Sequence, residues 1–436
     1  MKEKLIKKAI DILEANFQER GFTIPSKGLY PFQWKWDSGF IAIGFAHYDI
    51  EKAKTEIKTL LDAQWENGFI PHIIFHTDDD SYFPGADFHR SELHPLSSKK
   101  FKSTGMTQPP VTGFVLQEMY RIAEDKTDML KFIGMLIDKV YDNHDYFYTN
   151  RDPNDEGLVY IYHNWESGTD NSPVWDDIWK TMNPPDYTFE RKDTTHVDAS
   201  QRPSKREYDH YLNIIEIAKE HNYDDDKIAE LSPFLVQDPL FNAMLIKSNE
   251  ALIELYGLIG NNQEKQKTLT QWQKKSIQTF NDKLFDPKLG AYVHYDLRNK
   301  KAIRHICSSS FSPLFANIPD HERAKILVKT MLDKFGGDDK YLCASFDPTN
   351  ERFNPKKYWR GPVWINMNWM LYYGLKNYHF NTEANRVKND SVELIERDVF
   401  FEYFDCRKDN GETLRKGYGG DNFSWSAALI IDLLKT

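Results

Sequence analysis

Cysteine is scarce in this chain, with three residues among 436, at Cys307, Cys343 and Cys406. They show no CxxC spacing, which indicates a reducing compartment rather than a disulfide framework. No run approaches the roughly 20 apolar residues that a membrane-spanning helix needs. The N-terminus also lacks the continuous apolar stretch of a signal peptide. We therefore expect a cytoplasmic protein that does not span a membrane.

Positive charge is also in deficit, since 56 basic residues face 66 acidic ones and give a net charge of −10. This balance argues against a nucleic-acid partner and against docking on anionic membranes. What the chain has in excess is aromatic residues, at 14%, including 11 Trp and 23 Tyr. A large core would explain many of them.

Many of these rings, however, lie beside Asp, Asn, Gln and Gly in segments without regular periodicity, such as HNWESGTDNSPVWDD at 163–177. Sugar sites favour this mixture, because aromatic rings cover the C–H faces of a pyranose while amides and carboxylates bond its hydroxyls. The alternative is a solvated loop that happens to carry aromatic side chains.

Helical periodicity dominates the remainder of the chain. Apolar residues recur at helical spacing in twelve segments: 3–17, 38–48, 50–66, 110–123, 127–141, 208–221, 239–258, 263–280, 320–334, 362–377, 381–397 and 423–435. With no flexible linker and no strict repeat, this pattern predicts an all-α fold. We expect one (α/α)6 barrel domain over residues 1–436, with loop insertions near 67–109 and 142–206. A two-domain helical protein or a helical repeat array is the competing architecture.

Several connectors combine aromatic and polar residues just before a predicted helix. Their candidate ligands are Tyr30, Trp34, Trp36 and Asp37 in 28–46, Gln108 in 101–113, Arg202 and Tyr208 in 193–212, and Tyr358, Trp359 and Trp364 in 354–375. Each segment also has a purely structural explanation. Asp37 or Ser38 would cap a helix, the prolines after Gln108 would begin one, and the aromatic residues would pack in a core.

Two acids, Asp170 and Glu402, lie in aromatic and irregular segments far apart in sequence. Glycoside hydrolysis needs such a pair, because one carboxylic acid protonates the leaving oxygen while the other activates water or attacks the anomeric carbon. Apolar surroundings raise the acid's pKa, so that it keeps its proton near neutrality. Residue chemistry alone does not distinguish Asp170 from Glu166 as the acid, nor does it give the carboxyl separation that sets the stereochemistry.

Five segments in order resemble the mannosylglycerate and glucosylglycerate hydrolases, which are related to the family 63 glycoside hydrolases. The segments are YPFQWKWDSGF, WESGTDNSPVWD, RPSKREYD, YWRGPVWINMNW and EYFD with FSWSAA, and together they run from Tyr30 to Trp425. The resemblance implies an (α/α)6 barrel that hydrolyses 2-O-α-mannosyl- or glucosyl-glycerate with inversion.

The resemblance also implies roles for individual residues. Asp170 corresponds to the general acid and Glu402 to the general base. The sugar subsite would comprise Tyr30, Trp34, Trp36, Asp37, Gln108, Trp165 and Trp364. The glycerate moiety would be held by Arg202, Tyr208, Tyr358 and Trp359, and an arginine suits it because a guanidinium binds a carboxylate bidentately. The loops 67–100 and 182–200 do not match the family residue by residue, so a family 63-like α-glucosidase acting on neutral α-glucosides is the alternative.

Other functional classes fit the sequence less well. The Asp-rich runs at 78–80 and 224–226 lack the DDxxD spacing of magnesium-dependent isoprenoid enzymes. His72 and His76 would pair on a metal only within a helix, and Pro71 with the strand-like residues 73–75 argues against one. A sugar epimerase would use histidines as acid and base, and a non-catalytic sugar-binding module would lack one carboxylate.

We therefore expect no metal and no cofactor. The expected partner is a small-molecule sugar, with neither a nucleic acid nor a membrane. Exposed aromatic residues would suit a subunit interface as well as a pocket, so the sequence leaves the oligomeric state undecided, and a homo-oligomer is one alternative. The choice between mannose and glucose also stays open, because both sugars would stack on the same rings and differ at one hydroxyl.

Overall fold

Helices dominate the computed structural model, which describes residues 2–408 and 417–436. They are α1 (Lys2–Asn16), α2 (Lys35–Ala46), α3 (Ile50–Asp62), α4 (Ala86–His89), α5 (Thr112–Ile122), α6 (Lys126–Asn150), α7 (Asp176–Trp179), α8 (Lys205–Glu220), α9 (Asp225–Leu231), α10 (Pro239–Ile259), α11 (Gln263–Lys283), α12 (His321–Phe335), α13 (Ile365–Asn377), α14 (Asn381–Asp398) and α15 (Ser424–Lys435). All the predicted helical segments are confirmed, although α6 runs to Asn150 rather than to residue 141. Within these ranges no helix is both long and apolar enough to cross a membrane.

The described helices form two concentric rings, as an (α/α)6 barrel requires. The inner ring runs from α2 through α5, α10, the 3-10 segment Ser308–Leu314, α13 and α15, and α15 packs back against α2. The outer helices α3, α6, α11, α12, α14 and α1 each cover one inner element in the same order. Every residue of α2 is buried, as expected of a helix that is surrounded on all sides.

One of the six inner elements departs from the prediction, because none of the twelve predicted helical segments lies within residues 281–319, which contain it. Its segment SSSFSPL carries Pro313 inside the turn and lacks a 3.6-residue apolar stripe, so a 3-10 geometry replaces a regular helix. The predicted helix at 208–221 forms as α8 but lies outside the rings, where it packs with α9. Ser204 and Glu207 begin α8 with a capping box.

The alternative explanation of Asp37 or Ser38 as a helix cap does not hold for α2. This helix begins at Lys35, so Asp37 and Ser38 lie in its first turn, and the residue at the cap position makes no side-chain cap. The Ser38 hydroxyl instead donates to the carboxylate of Glu56 on α3 (2.5 Å). Asp37 therefore does not cap this helix.

Short antiparallel strands fix the connecting loops. The sheets are β1 (Gln33–Trp34) with β2 (Ile73–Phe75) and β3 (Lys102–Ser103), β4 (Val236–Gln237) with β7 (His294–Asp296) and β8 (Lys301–Ile303), β5 (Phe285–Asp286) with β6 (Ala291–Tyr292), and β9 (Tyr403–Phe404) with β10 (Gly417–Tyr418). Trp34 lies opposite Ile73, and Tyr403 lies opposite Tyr418. These pairings bring loops distant in sequence to one end of the barrel.

Candidate active site

A pocket lies at the end of the barrel where α2, α13 and α15 begin, and it encloses about 740 Å³ of empty space. We call it the central pocket. It is lined by Pro25, Leu29, Tyr30, Trp34, Trp36, Asp37, His72, Tyr82, Phe83, Gln108, Trp165, Gly168, Asp170, Asp193, Arg202, Pro203, Tyr208, Tyr358, Trp359, Glu402, Phe423 and Trp425. The structure therefore brings together all but one of the residues that the sequence analysis selected.

The exception is Trp364, which lies behind the pocket wall. Its indole stacks on that of Trp359, with ring centroids 3.8 Å apart and an interplanar angle of 4°. Its Nε1 donates to the carbonyl oxygen of Tyr358 (3.3 Å). Trp364 therefore buttresses two lining residues and does not itself line the central pocket, and its contact with the sugar stays a prediction.

Glu402 immediately precedes β9, and both of its carboxylate oxygens have protein neighbours. The Tyr30 hydroxyl donates to Oε1 (2.8 Å) and the Gly420 amide donates to Oε2 (3.0 Å). The Nη1 of Arg202 lies 3.6 Å from Oε2. Burial raises the pKa of the Glu402 carboxyl, whereas Arg202, Gly420 and Tyr30 lower it. This carboxyl therefore has three neighbours that stabilise its ionised form.

The backbone beside Glu402 needs glycine. Gly419 has φ +72°, and a Cβ at this position would lie 2.3 Å from the Glu402 Oε2. Both the left-handed conformation and the absence of a side chain are therefore required for the close approach that lets the neighbouring Gly420 amide donate to the carboxylate.

Asp170 lies in a turn that follows the 3-10 segment Asn164–Ser167. The Asn164 side-chain amide donates to the Asp170 carbonyl oxygen (2.7 Å), and the Tyr358 hydroxyl donates to its Oδ2 (3.2 Å). The residue is only partly buried, since its side chain lines the pocket. Desolvation raises the pKa of Asp170 to about 7, although Arg202 and Tyr358 both lower it. Asp170 can therefore hold a proton near neutral pH.

Glu166, the other candidate acid, is placed elsewhere. Its side chain is fully buried and does not line the central pocket. It accepts from the backbone amides of Tyr162 (2.8 Å) and Thr107 (3.1 Å), and its Oε2 lies 3.4 Å from the Nη1 of Arg151. The structure thus separates two carboxylates that residue chemistry could not distinguish, and only Asp170 can reach a ligand.

Arg202 is buried between the two pocket carboxyls. Its Nε donates to Asp193 (3.2 Å), and its guanidinium lies 4.2 Å from the ring centroid of Tyr358. Its Nη1 makes no hydrogen bond with the described residues. Asp193 is also held by Arg191 through two hydrogen bonds of 2.7 and 2.6 Å. One face of the Arg202 fork is therefore fixed by Asp193, while Nη1 faces the carboxylate of Glu402 at 3.6 Å.

The remaining predicted ligands form the aromatic and polar walls. The Oε1 of Gln108 accepts from the backbone amide of Trp36 (3.2 Å). Burial raises the pKa of Asp37 well above its ordinary value, and the neighbouring charges of Glu402 and Asp170 raise it further. Trp165 packs edge-on against Tyr208, with centroids 6.2 Å apart. Such a wall combines ring faces with hydrogen-bonding groups.

Several lining residues were not predicted, chiefly His72, Tyr82, Phe83, Asp193, Phe423 and Trp425. Tyr82, Phe83 and Asp193 come from the two loops that did not match the family, and no local pattern marks them as ligands. The sequence did carry a signal for Phe423 and Trp425, because these aromatic residues alternate at the start of a helix, as Trp34 and Trp36 do.

The two histidines considered as a metal pair separate across β2. His72 lines the pocket, whereas the His76 ring makes a 2.7 Å hydrogen bond to Gln33. Across residues 2–408 and 417–436, no three His, Cys, Asp or Glu side chains are arranged to hold a metal ion.

Comparison with known proteins places these features in a family. A family model described as the mannosylglycerate hydrolase MGH1-like glycoside hydrolase domain matches residues 30–426. The chain is 36% identical over 438 residues to a mannosylglycerate hydrolase of Rubrobacter radiotolerans, covering 99% of this chain and 97% of that relative. It is 32% identical over 420 residues to a glucosylglycerate hydrolase of Mycolicibacterium hassiacum, covering 93% and 92% of the two chains.

A solved structure gives the same result for the fold. The crystal structure of a glycoside hydrolase family 63 mannosylglycerate hydrolase from Thermus thermophilus, in complex with Tris and D-glycerate, superposes with a TM-score of 0.90. The two sequences are 38% identical, and the alignment covers 98% of this chain and 99% of that one.

Proposed function

Because this chain belongs to the MGH1-like family of glycoside hydrolases, we propose that it hydrolyses 2-O-α-mannosyl- or glucosyl-glycerate to the free sugar and glycerate. The observation that carries the proposal is the placement of Asp170, Glu402 and Arg202 in one aromatic pocket. The carboxyl pair suits cleavage of a glycosidic bond, and the guanidinium suits an acidic leaving group.

Asp170 acts as the general acid in this proposal. Its pKa of about 7 keeps a proton available for the glycosidic oxygen as the bond to the anomeric carbon breaks. Glu402 acts as the general base, taking a proton from the water that attacks the anomeric carbon from the opposite side. Each Glu402 oxygen already has a hydrogen-bond donor, and these donors hold the carboxylate in its ionised form beside that water. The sugar is released with inverted configuration.

The acceptor subsite is supported by charge and geometry. The guanidinium of Arg202 would attract the glycerate carboxylate, and Tyr208 and Tyr358, which also line the pocket, would offer hydroxyls to it. The crystallised relative binds D-glycerate, and the named relatives act on mannosyl or glucosyl conjugates. We therefore keep both sugars in the proposal.

The proposal extends to the whole chain. Residues 1–436 would act as one catalytic domain, which is supported by the packing of α1 against α15. The three cysteines are buried and unpaired, which supports a cytoplasmic location. Light scattering of the purified protein, which measures its molar mass, tests whether it forms a homo-oligomer.

The test of the function follows the anomeric proton by NMR while the protein is incubated with mannosylglycerate, glucosylglycerate or a neutral α-disaccharide. Release of a β-sugar from either glycerate conjugate is the expected result. Release of the α-anomer would overturn the inverting mechanism. Turnover of the neutral disaccharide alone would retain the two carboxyls but replace the glycerate conjugate with a neutral α-glucoside as substrate.

The acceptor role of Arg202 makes a separate prediction. Arg202→Ala should lower kcat/KM for the glycerate conjugate by about a hundredfold, because a charged hydrogen bond to the substrate is lost. Turnover of a neutral α-glucoside should change far less. Arg202→Lys, which keeps a charge beside Asp193 and Glu402 but not the planar fork, controls for loss of folding. Equal losses on both substrates would show that Arg202 acts on Glu402 or on the fold and not on the glycerate.

A further inference from the structure

A buried polar cluster lies directly behind one wall of the central pocket. It consists of Lys35, Thr107 and Glu166, whose residues are at most 1% exposed. None of the three lines the pocket, but each is a chain neighbour of residues that do. Those neighbours are Trp34, Trp36, Gln108 and Trp165.

Thr107 links the other two members of this cluster. Its hydroxyl accepts from the Lys35 ammonium (2.8 Å) and donates to the carbonyl oxygen of Ile70 (2.7 Å). Its backbone amide donates to Glu166 Oε1 (3.1 Å). The start of α2, the segment before α5 and the loop that carries Trp165 therefore meet at one residue, through its hydroxyl and its backbone amide.

These contacts determine the orientation of Gln108. Lys35 donates to the Gln108 carbonyl oxygen (3.0 Å), and the Trp36 amide donates to its side-chain Oε1 (3.2 Å). Because the oxygen end of the side chain is occupied, the Nε2 group is the end left for a ligand. No described residue accepts from Nε2, so its two hydrogens are available to sugar hydroxyls.

The cluster also balances its charges. Arg151 lies 3.4 Å from Glu166 and donates to Asp225 (2.9 Å), so two buried cations face two carboxylates. Burial lowers the pKa of Lys35, while the charge of Glu166 raises it. Removing one charged member leaves another without compensation in a low-dielectric interior, which destabilises the fold strongly. Thr107 is neutral and is therefore the member that can be changed with the least damage.

We propose that Thr107 is a positioning residue for the hydrolytic reaction, which orients the Gln108 amide toward the sugar by joining Lys35 and Glu166. It makes no contact with the substrate and acts through Gln108. The inference rests on the proposed function only in assuming that Gln108 contacts the sugar.

The kinetic test compares Thr107→Val, which removes the hydroxyl at nearly constant shape, with Thr107→Ser, which keeps it. We expect Thr107→Val to lower kcat/KM roughly tenfold, mainly through KM, and Thr107→Ser to stay within about twofold of the parent enzyme. Thr279→Val is the matched control, because its hydroxyl donates to the Glu156 carbonyl away from the pocket (2.6 Å). Equal losses in Thr107→Ser and Thr107→Val would overturn the proposal.

A double-mutant cycle tests whether Thr107 acts through Gln108. In a Gln108→Ala background, Thr107→Val should have little further effect on kcat/KM. Fully additive losses would mean that Thr107 does not act through this amide, and a lowered Tm with unchanged kcat/KM would reduce it to a purely structural residue.

A crystal structure of Thr107→Val provides a readout independent of substrate. We expect the bond between the Gln108 Oε1 and the Trp36 amide to be lost or the Gln108 side chain to be displaced. An unmoved Gln108 would overturn the positioning role even if the glycerate conjugates prove to be the substrates. A displaced Gln108 would support it even if another glycoside is cleaved.

Discussion

One tyrosine, Tyr358, contacts both the proposed acid and the buried arginine. The Tyr358 hydroxyl donates to the Asp170 carboxyl, and its ring lies under the guanidinium of Arg202. The hydrogen bond from Tyr358 and the charge of Arg202 favour ionised Asp170, while desolvation favours the neutral acid and prevails, leaving a pKa of about 7. The pKa of the acid therefore reflects opposing effects, and loss of the Tyr358 hydrogen bond should change it.

Tyr358→Phe should shift the alkaline limb of the pH profile upward. Wild-type kcat/KM should fall as pH rises through about 7, because Asp170 loses the proton that it must donate. Removing the hydroxyl removes a hydrogen bond that lowers the Asp170 pKa, so the limb should move to higher pH by roughly half a unit to one unit. Profiles of kcat/KM between pH 5 and 9 measure the shift.

Tyr378→Phe provides the comparison for that experiment, since its hydroxyl donates to the Pro319 carbonyl outside the pocket (2.6 Å). Its profile should coincide with that of the parent enzyme. A limb that moves to lower pH in Tyr358→Phe would contradict the assignment of Asp170 as the acid.

At the scale of elements, regular periodicity was enough to find the twelve longer helices, but not the short helices α4, α7 and α9 or the inner 3-10 segment of the barrel. Apolar stripes in α10 or α14 identify a helix without any tertiary information. The segment Ser308–Leu314 takes an inner position because its neighbours α10 and α13 enclose it, and no local pattern encodes that. The cap considered as the alternative at Asp37 or Ser38 is absent for a similar reason, because β1 precedes the helix directly and Ser38 bonds Glu56 of α3.

In the candidate site, too, the sequence identified some residues and missed others. Residues such as Trp36 and Asp170 were identified because their segments combine aromatic and acidic side chains without a regular period. Tyr82 and Asp193 reach the pocket through loops whose course depends on long-range contacts, including a stack of Phe83 on Phe189 at 5.1 Å. Trp364 carried the same aromatic signal as Trp359, yet only the fold shows which of two stacked rings faces the pocket.

The loop between β10 and α15 makes a prediction about Glu402. Gly419→Ala should lower kcat at least a hundredfold, because its Cβ would overlap the Glu402 Oε2 at 2.3 Å and displace the base. The matched variant is Gly260→Ala, since Gly260 has a similar φ of +75° but open space around its Cβ position. Both variants should lose about 1 kcal/mol of stability from the left-handed backbone, measured by urea unfolding. Comparable activity in the two variants would contradict the proposed role of Glu402.

At the scale of the whole molecule, the barrel buries several carboxyl groups whose pKa values it raises. Burial raises the pKa of Glu56 to about 7 even though Ser38, Thr23 and Gln33 lower it. Desolvation gives Asp170 a similar value. In the unfolded chain such groups ionise near pH 4, so between pH 4 and 7 the folded state binds more protons than the unfolded state. The contribution of these buried carboxyls to the free energy of unfolding should therefore decrease as pH rises through this range.

Asp170→Asn separates the contribution of the proposed acid from that of the other buried carboxyls. The amide keeps the shape of the side chain and can still accept from Tyr358, but it cannot ionise or donate an acidic proton. At pH 8 the variant should be more stable than the parent by about 1–3 kcal/mol, because an ionised carboxylate no longer has to be desolvated. At pH 5, where Asp170 is protonated in the folded state, most of that gain should disappear.

Turnover should be lost at both pH values, and urea unfolding at pH 5 and pH 8 gives the stabilities. An inactive variant with no gain at pH 8 would mean that Asp170 is not held against its own ionisation, and its pKa could not be what suits it to be the acid.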